Sequence, residues 1–388
     1  MTAQKPKQGA PLLHLSWDSP DNPWCGGGGA FRDYQILSLL EGWDREVCSG
    51  RHPCGAVAPS STRRVDKGIG TMGEFVSRRS WSWAAGRYLD LRLRSDPTLV
   101  ASQSVSAWAP AWNSLRHPKR ILHVVHHVAG DSILERLGPL GPSSLRYERA
   151  VLACGHYFAT PNRATASRIL ALNPQARVEI IPNGFTPPQG EVAPEQRIDD
   201  SVTITFLGRL DHRMKGLDRL LEAFGRVGTR LPDTRLLLAG RSDDSMDAWL
   251  SRALAHHPLR DRIEVVANPS DERKYALLDR SDIFCVPSRF EGWCIAAVEA
   301  QSRGLPVVAT RTDGLLDSVR DGETGILVSN DESQAPSALA QALETLVSDS
   351  QRRDRMGEVA VRWAGRFTWE AATKATDSLL DEIRQNLG

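Results

Sequence analysis

The stretch Phe290-Glu291-Gly292-Trp293-Cys294-Ile295-Ala296-Ala297-Val298-Glu299-Ala300-Gln301-Ser302-Arg303-Gly304-Leu305-Pro306-Val307-Val308-Ala309-Thr310 decides the reading of this chain. Before it, the apolar run Asp282–Val286 stops at Pro287-Ser288 and a short loop carries Glu291. Small and apolar residues then recur with helical spacing from about Gly292 to Arg303, and Pro306–Thr310 reads as another buried strand. The pattern is strand, loop, helix, strand. Amides that open a helix lack intrahelical acceptors and sit at the positive end of its dipole, so those of Gly292, Trp293, Cys294 and Ile295 suit a diphosphate. Carboxylates repel a diphosphate, whereas Glu291 and Glu299 can accept from sugar hydroxyls. One at each end would clamp a nucleotide-sugar.

Working outward, strand-like runs alternate with helical patterns along the chain. In the first half the expected strands are Leu12–Leu15, Leu99–Ser102, Ile121–Val125, Tyr157–Thr160 and Val178–Ile181. In the second they are Val202–Leu207, Arg235–Ala239, Ile263–Val266, Asp282–Val286 and Val307–Thr310. The prolines and glycines of Pro182–Gly190 mark a linker between the two sets. This alternation predicts an α/β chain of two doubly wound, Rossmann-like domains facing a cleft, with ligands beyond the C-terminal ends of the strands. The expected limits are a first domain over 1–185, a linker over 186–198, a second domain over 199–366 and a terminal helix over 367–388. That helix is capped by Thr368, with Leu379, Leu380 and Ile383 on its apolar face.

Composition agrees with ordinary globular material: 388 residues, 41% apolar and 24% charged, enough for two cores. No apolar run is long enough to span a membrane, and Met1–Pro11 is polar without a hydrophobic signal core, so the expected compartment is the cytoplasm. The six cysteines lack C-x-x-C pairs and read as reduced thiols. The net charge of +1 hides an asymmetry: residues 1–185 carry 22 Lys and Arg against 14 Asp and Glu, the remainder 26 against 33. A positive first half can attract an anionic acceptor, the donor diphosphate or a membrane surface, making peripheral membrane contact an open reading. No concentrated basic tract or aromatic RNA-binding signature occurs, so no nucleic-acid partner is expected. Of the first-half tryptophans, which include Trp17, Trp24, Trp43, Trp81, Trp83, Trp108 and Trp112, most are expected in the core and one or two near the cleft.

On Glu291 and Glu299 the chain resembles the retaining glycosyltransferases of family 4 with their E-x7-E signature, and the likeness runs on through Gly304-Leu305-Pro306-Val307-Val308-Ala309-Thr310. Phe206-Leu207-Gly208-Arg209-Leu210 followed by Lys215-Gly216-Leu217 is similar to the same family's diphosphate-binding arginine and lysine. The resemblance covers the C-terminal half strongly and the N-terminal half in outline. It implies the GT-B architecture, an acceptor held by the first domain, a nucleotide-sugar donor on the second, and a terminal helix packed back on the first. It also implies front-side attack, with the leaving phosphate taking the acceptor proton. By the same likeness Arg209 and Lys215 would stabilise the departing diphosphate, Glu291 would hold sugar hydroxyls, Glu299 the ribose, and Gly314 the sugar or phosphate. The glycine run Cys25–Ala30, with Gly28 and Gly29, resembles the family's loop against the donor diphosphate. A histidine at the end of the strand Ile121–Val125 would reach the donor sugar, His126 by the pattern Val125-His126-His127-Val128 and His127 as second choice. One departure stands out: Cys294 sits where the family commonly has glycine.

Two rival readings follow from the same residues. A dinucleotide-dependent oxidoreductase would need G-x-G-x-x-G, and Phe31 or Arg32 falls where its last glycine should be. A nucleotide-sugar-binding protein without turnover is the other. His123, His126 and His127 have metal-ligand chemistry, yet no carboxylate joins them locally before Asp131, and strand alternation would send His126 and His127 to opposite sides. The chain has no D-x-D triplet. Neither metal nor cofactor is therefore expected, and Arg209, Lys215 and the helix N-terminus would neutralise the diphosphate instead.

Overall fold

All strand pairs among the described residues of the computed structural model are parallel. The structure describes residues 9–18, 28–51, 59, 61–69, 73–104, 111–128, 130, 141–188, 195, 197 and 199–387. The chain divides into one unit of Met1–Gly184 with Trp369–Gly388 and a second of Phe185–Thr368.

In the first unit the order is β1 (Ala10–Ser16), α1 (Gly28–Leu39), β2 (Trp43–Gly50), β3 (Thr62–Lys67), α2 (Gly73–Ser95), β4 (Val100–Ser104) and α3 (Ala111–Arg116). Then come β5 (Ile121–Val124), α4 (Gly141–Cys154), β6 (Tyr157–Thr160), α5 (Arg163–Leu172) and β7 (Arg177–Ile180). The sheet runs β3-β2-β1-β4-β5-β6-β7, so its order reverses between β1 and β4. Leu13, Leu15, Leu99, Ala101 and Ile121 meet Trp81, Ala85, Leu89 and Leu93 of α2 in one core cluster. Each such leucine withdrawn from water contributes about 1.5–3 kcal/mol. The terminal helix, Trp369–Gln385, buries Leu379, Leu380 and Ile383 in this unit. Trp369 meets Phe31 of α1 edge to face at 5.7 Å, and the Trp43 indole N–H donates to Asp377 at 2.8 Å.

The second unit opens with β8 (Val202–Leu207), α6 (Leu217–Arg230), β9 (Thr234–Gly240), α7 (Asp244–Ala255), β10 (Ile263–Ala267) and α8 (Asp271–Asp279). It continues through β11 (Ile283–Val286), α9 (Ile295–Ser302), β12 (Val307–Thr310), α10 (Leu315–Ser318), β13 (Gly325–Val328), α11 (Ala335–Ser348) and α12 (Ser350–Ala364). Its sheet runs β10-β9-β8-β11-β12-β13, reversing between β8 and β11. Leu217, Leu220, Leu221 and Phe224 form the buried side of α6, packed on Ile204, Phe206, Leu236 and Leu238. Both sheets thus leave a crevice at the C-terminal ends of their reversal strands, where open parallel sheets bind ligands.

Sequence reading and structure differ at several elements. β2 and β3 were not expected as strands: Trp43-Asp44-Arg45-Glu46 and Thr62-Arg63-Arg64 place charges where a buried strand would be apolar. β3 lies at the sheet's edge, where charge is tolerated and blunts edge pairing, while β2 is an inner strand whose buried Glu46 is met by Arg63, Arg92 and the Tyr88 hydroxyl. β13 follows a turn and opens on Gly325, a residue type depleted in strands. β5 ends at Val124, so His126 and His127 lie beyond the strand and strand alternation does not govern them. The helix expected from about Gly292 begins at Ile295, because Cys294 has φ 74° and a left-handed residue cannot continue a right-handed helix. Cys48, Cys154, Cys285 and Cys294 are free thiols, while Cys25 and Cys54 fall outside the described residues.

Candidate active site

In the second unit the loops after β8 and β11 meet at the reversal point. Gly216 caps α6 with φ 72°, and a Cβ there would lie 2.1 Å from the Pro287 carbonyl oxygen, so only glycine lets the two loops touch. This contact sets Lys215 beside Glu291, the two being 76 positions apart. Lys215 Nζ donates to Glu291 Oε1 at 2.6 Å, and Ser288 Oγ donates to the same oxygen at 2.9 Å. Glu291 is 8% exposed. Burial pulls the Lys215 pKa down, but Glu291 outweighs it and holds the ammonium above its ordinary value. The Glu291 carbonyl accepts from the Gly314 amide at 2.9 Å, and a Cβ on Gly314 would meet the Trp293 nitrogen at 2.2 Å. Gly314 therefore clamps the Glu291–Trp293 segment, its N–H already taken.

Arg209 leaves the end of β8 in a loop shaped by Asp211, whose carboxylate accepts from the amides of Arg213 and Met214. Its guanidinium lies 3.3 Å from Asp211, and its Nε is buried without a hydrogen-bond partner. Arg289, close to Glu291 in sequence, is instead committed to Asp218 and Glu332. Gly208 holds the base of this loop: its N–H donates to the Ala239 carbonyl at 3.1 Å. Gly240, with φ 139°, lies so close that a Cβ would stand 1.7 Å from the Gly208 oxygen.

Among Gly292, Trp293, Cys294 and Ile295, only Ile295 belongs to α9, with Cys294 as its N-cap. The Trp293 ring is core: it packs edge to face on Phe367 at 5.1 Å, with Val298 and Ala364 in the same cluster. α9 presents its first-turn amides at the C-terminal edge of the sheet. Glu299 lies little more than one turn inside it and is 7% exposed. Its Oε1 accepts from Lys274 Nζ at 2.7 Å and lies 3.5 Å from the Tyr275 hydroxyl, which itself bonds the Thr186 carbonyl. Neither Lys274 nor Ser288 was singled out by sequence. Lys274 carries no local signature, since its partner sits on another helix.

The first unit holds its own polar crevice where β1 and β4 part. A cavity of about 70 Å³ is lined by Trp17, Gly29, Asp33, Arg78, Ser104 and His126 among others. Gly28 and Gly29 begin α1, and the preceding glycines of the run lie outside the described residues. A Cβ on Gly29 would come within 2.9 Å of the His126 ring. His126 Nε2 lies 3.4 Å from Ser104 Oγ, which donates to Asp33. His14 bridges Ser102 at 2.7 Å and Asp33 at 3.4 Å. Burial lowers the His126 pKa to about 4 against the opposing pull of Asp33, so the ring is neutral at pH 7. His123 is a core residue, hydrogen-bonded to Gln103 at 2.8 Å and packed on Phe158, with its pKa pushed down to about 3 by burial. The three histidines therefore do not converge. His14 and Ser104 come together through the pairing of β1 with β4 and Asp33 reaches them from α1, which no spacing in the sequence announces.

Residues 190–363 match the family model described as glycosyl transferases group 1, and residues 41–187 match that of glycosyltransferase family 4. The D-inositol 3-phosphate glycosyltransferase of Corynebacterium glutamicum (strain R) is 32% identical over 240 residues, which are 60% of this chain and 54% of that protein. The chain spans about half the length of the relatives it matches. Among solved structures, sucrose-phosphate synthase of Thermosynechococcus elongatus superimposes with a TM-score of 0.77 at 19% identity, covering 97% of this chain and 99% of that one. Anabaena HepE in complex with UDP and glucose superimposes with a TM-score of 0.69 at 17% identity, covering 96% and 100%. The fold is the GT-B fold of these neighbours.

Proposed function

The chain belongs to glycosyltransferase family 4, and from that premise we propose that it moves a sugar from a nucleoside diphosphate sugar to an acceptor hydroxyl with retention at the anomeric carbon. The observation that carries this reading is the meeting of Arg209, Lys215 and Glu291 at the β8–β11 reversal, beside the N-terminus of α9. Two cations and a helix N-terminus suit a departing diphosphate. Charge-assisted bonds of about 1.5–3 kcal/mol each strengthen as negative charge develops on the leaving group. Glu291 takes sugar hydroxyls and Glu299 the ribose.

In the reaction the acceptor oxygen bonds the anomeric carbon on the face from which the phosphate oxygen leaves. The acceptor proton passes to that phosphate oxygen, so no side-chain nucleophile is required. Neutralisation by Arg209 and Lys215 makes a divalent ion dispensable. The acceptor is assigned to the first unit.

The test is a screen of nucleoside diphosphate sugars by thermal stabilisation, which a bound donor produces by mass action. UDP-sugars head the screen because HepE is solved with UDP. Stabilisation by one donor with release of its diphosphate supports the proposal, and Arg209→Ala should then lower turnover at least tenfold. Donor binding with no released diphosphate would point to a binding protein without turnover. Stabilisation by NAD(P)H alone would sink the assignment.

A further inference from the structure

The exposed side of α2 carries a single stripe that the catalytic reading does not use. Val76, Arg79, Trp83, Arg87, Leu91 and Arg94 recur at steps of three and four, so they line one face of the helix, and all are exposed. Trp83 and Leu91 are each 63% exposed, far above the ordinary state of such side chains. The opposite face, Trp81, Ala85, Leu89 and Leu93, is fully in the core. α2 is therefore apolar on two sides, which hides the stripe from any periodicity argument. From Val76 to Arg94 the stripe runs roughly 27 Å.

α3 extends the same surface. Asn113 donates to the Gly86 carbonyl and Arg116 pairs with Asp90, which fixes α3 beside the middle of α2. It adds Leu115, 67% exposed, with Arg116, and the turn after it adds Lys119. Arg87 lies over the Trp83 ring at 4.9 Å and Arg116 over Trp112 at 5.2 Å, so cations and aromatic rings are interleaved. Asp90 pairs with Arg94 and Arg116.

We propose that this face docks the protein on an anionic lipid bilayer. A bilayer boundary is the partner that uses both halves of the pattern. Its acyl edge takes Trp83, Leu91, Leu115 and Val76, while arginines extend their charged heads to anionic headgroups. A second copy of the chain would set arginine against arginine, and a nucleic acid has no use for the exposed leucines. The positive balance of residues 1–185 adds long-range attraction of the same sign. This inference stands independently of the sugar-transfer reading.

The experiment is co-sedimentation of the whole chain with vesicles of phosphatidylcholine alone and with about 30% phosphatidylglycerol, at low and physiological salt. Binding should require the anionic lipid and weaken with salt, each cation contributing on the order of fivefold in affinity. Arg79→Glu with Arg87→Glu should lower binding at least twenty-five-fold, and Trp83→Ala with Leu91→Ala at least tenfold. These side chains are exposed, so melting temperature should hold in both. Arg87→Glu alone, expected at fivefold or more, serves if the double variant fails to fold. Charge reversal at exposed Arg355 of α12 should change nothing. No binding to anionic vesicles overturns the proposal, as does binding untouched by both sets of variants. A dimer dissolved by Trp83→Ala without vesicle binding, or tighter binding to a DNA duplex than to vesicles, overturns it in favour of those partners.

Discussion

Replacing Lys215 by methionine separates the stabilising and catalytic roles of one ammonium. In the native protein it sits 2.6 Å from Glu291, with 27% of the lysine side chain and 9% of the glutamate exposed. Removing one partner of a fully buried pair costs about 3–5 kcal/mol because the other charge is left uncompensated. Lys215 keeps some solvent and Ser288 still donates to Glu291, so the expected loss of stability is about 1.5–3 kcal/mol. Glu291→Gln should recover part of it in the double variant, giving a coupling of about 1–2 kcal/mol. Catalysis should fall further than stability explains. Losing a charge-assisted bond to the leaving diphosphate costs about 1.5–3 kcal/mol in the transition state, or roughly 10- to 150-fold in turnover. Urea denaturation of the four proteins measures the first quantity, and diphosphate release at saturating donor the second. If Lys215→Met folds normally and turns over within threefold of the parent, the assignment of the leaving-group cation is wrong. A coupling near zero would show that the 2.6 Å contact does no energetic work.

Four further outcomes are expected. Activity should persist in excess EDTA, and a full loss restored by magnesium or manganese would refute neutralisation by Arg209 and Lys215. Glu299→Gln should raise the donor KM more than it lowers kcat, because a ribose bond is present in ground and transition states alike; an unchanged donor KM removes that role. His123 and His126 keep folded pKa values near 3 and 4 against 6.5 unfolded. The unfolded chain therefore binds protons that the native protein refuses, stability falls as pH drops from 6.5 toward 4, and His126→Gln should flatten the urea-midpoint profile by about one proton. Cys294→Val should destabilise by about 2 kcal/mol or more because a β-branched residue resists φ 74°, while Cys294→Gly should stay within about 1 kcal/mol of the parent in thermal unfolding.

The sequence was most legible where burial forces a uniform pattern. β8, β11 and β12 are short apolar runs between turn signals, and they carry the reversal point and its loops. Legibility failed at β3, where Arg63 and Asp66 occupy an edge that tolerates charge, and at the inner strand β2, where the buried Glu46 finds its partners Arg92 and Tyr88 on α2. It failed again at the start of α9. Ile295 to Ser302 and the three residues before them have similar apolar character, and only the backbone shows that Cys294 lies in the left-handed region. The glycine expected at that position by family likeness and the φ observed there have one physical cause: a left-handed residue without a Cβ has nothing to clash. Cys294 takes that conformation where Gly314 holds the adjoining segment against its own backbone.

The two glutamates of the opening stretch show what a linear pattern can and cannot contain. Their spacing identifies acceptors but is silent on what offsets the cost of burying a carboxylate to 7–8% exposure. Each is answered by a lysine from elsewhere: Lys215 from the loop after β8 for Glu291, and Lys274 from α8 for Glu299. In both pairs the ammonium bonds a carboxylate oxygen, at 2.6 Å and 2.7 Å. An ammonium on one oxygen offsets the cost of burying the charge and fixes the rotamer, so the carboxylate meets a ligand hydroxyl already oriented. The lysines are thus conditions for the glutamates to work as acceptors. Because each comes from a separate βα unit, the pairs exist only once the parallel sheet has set β8, β11 and the helices beside them in register.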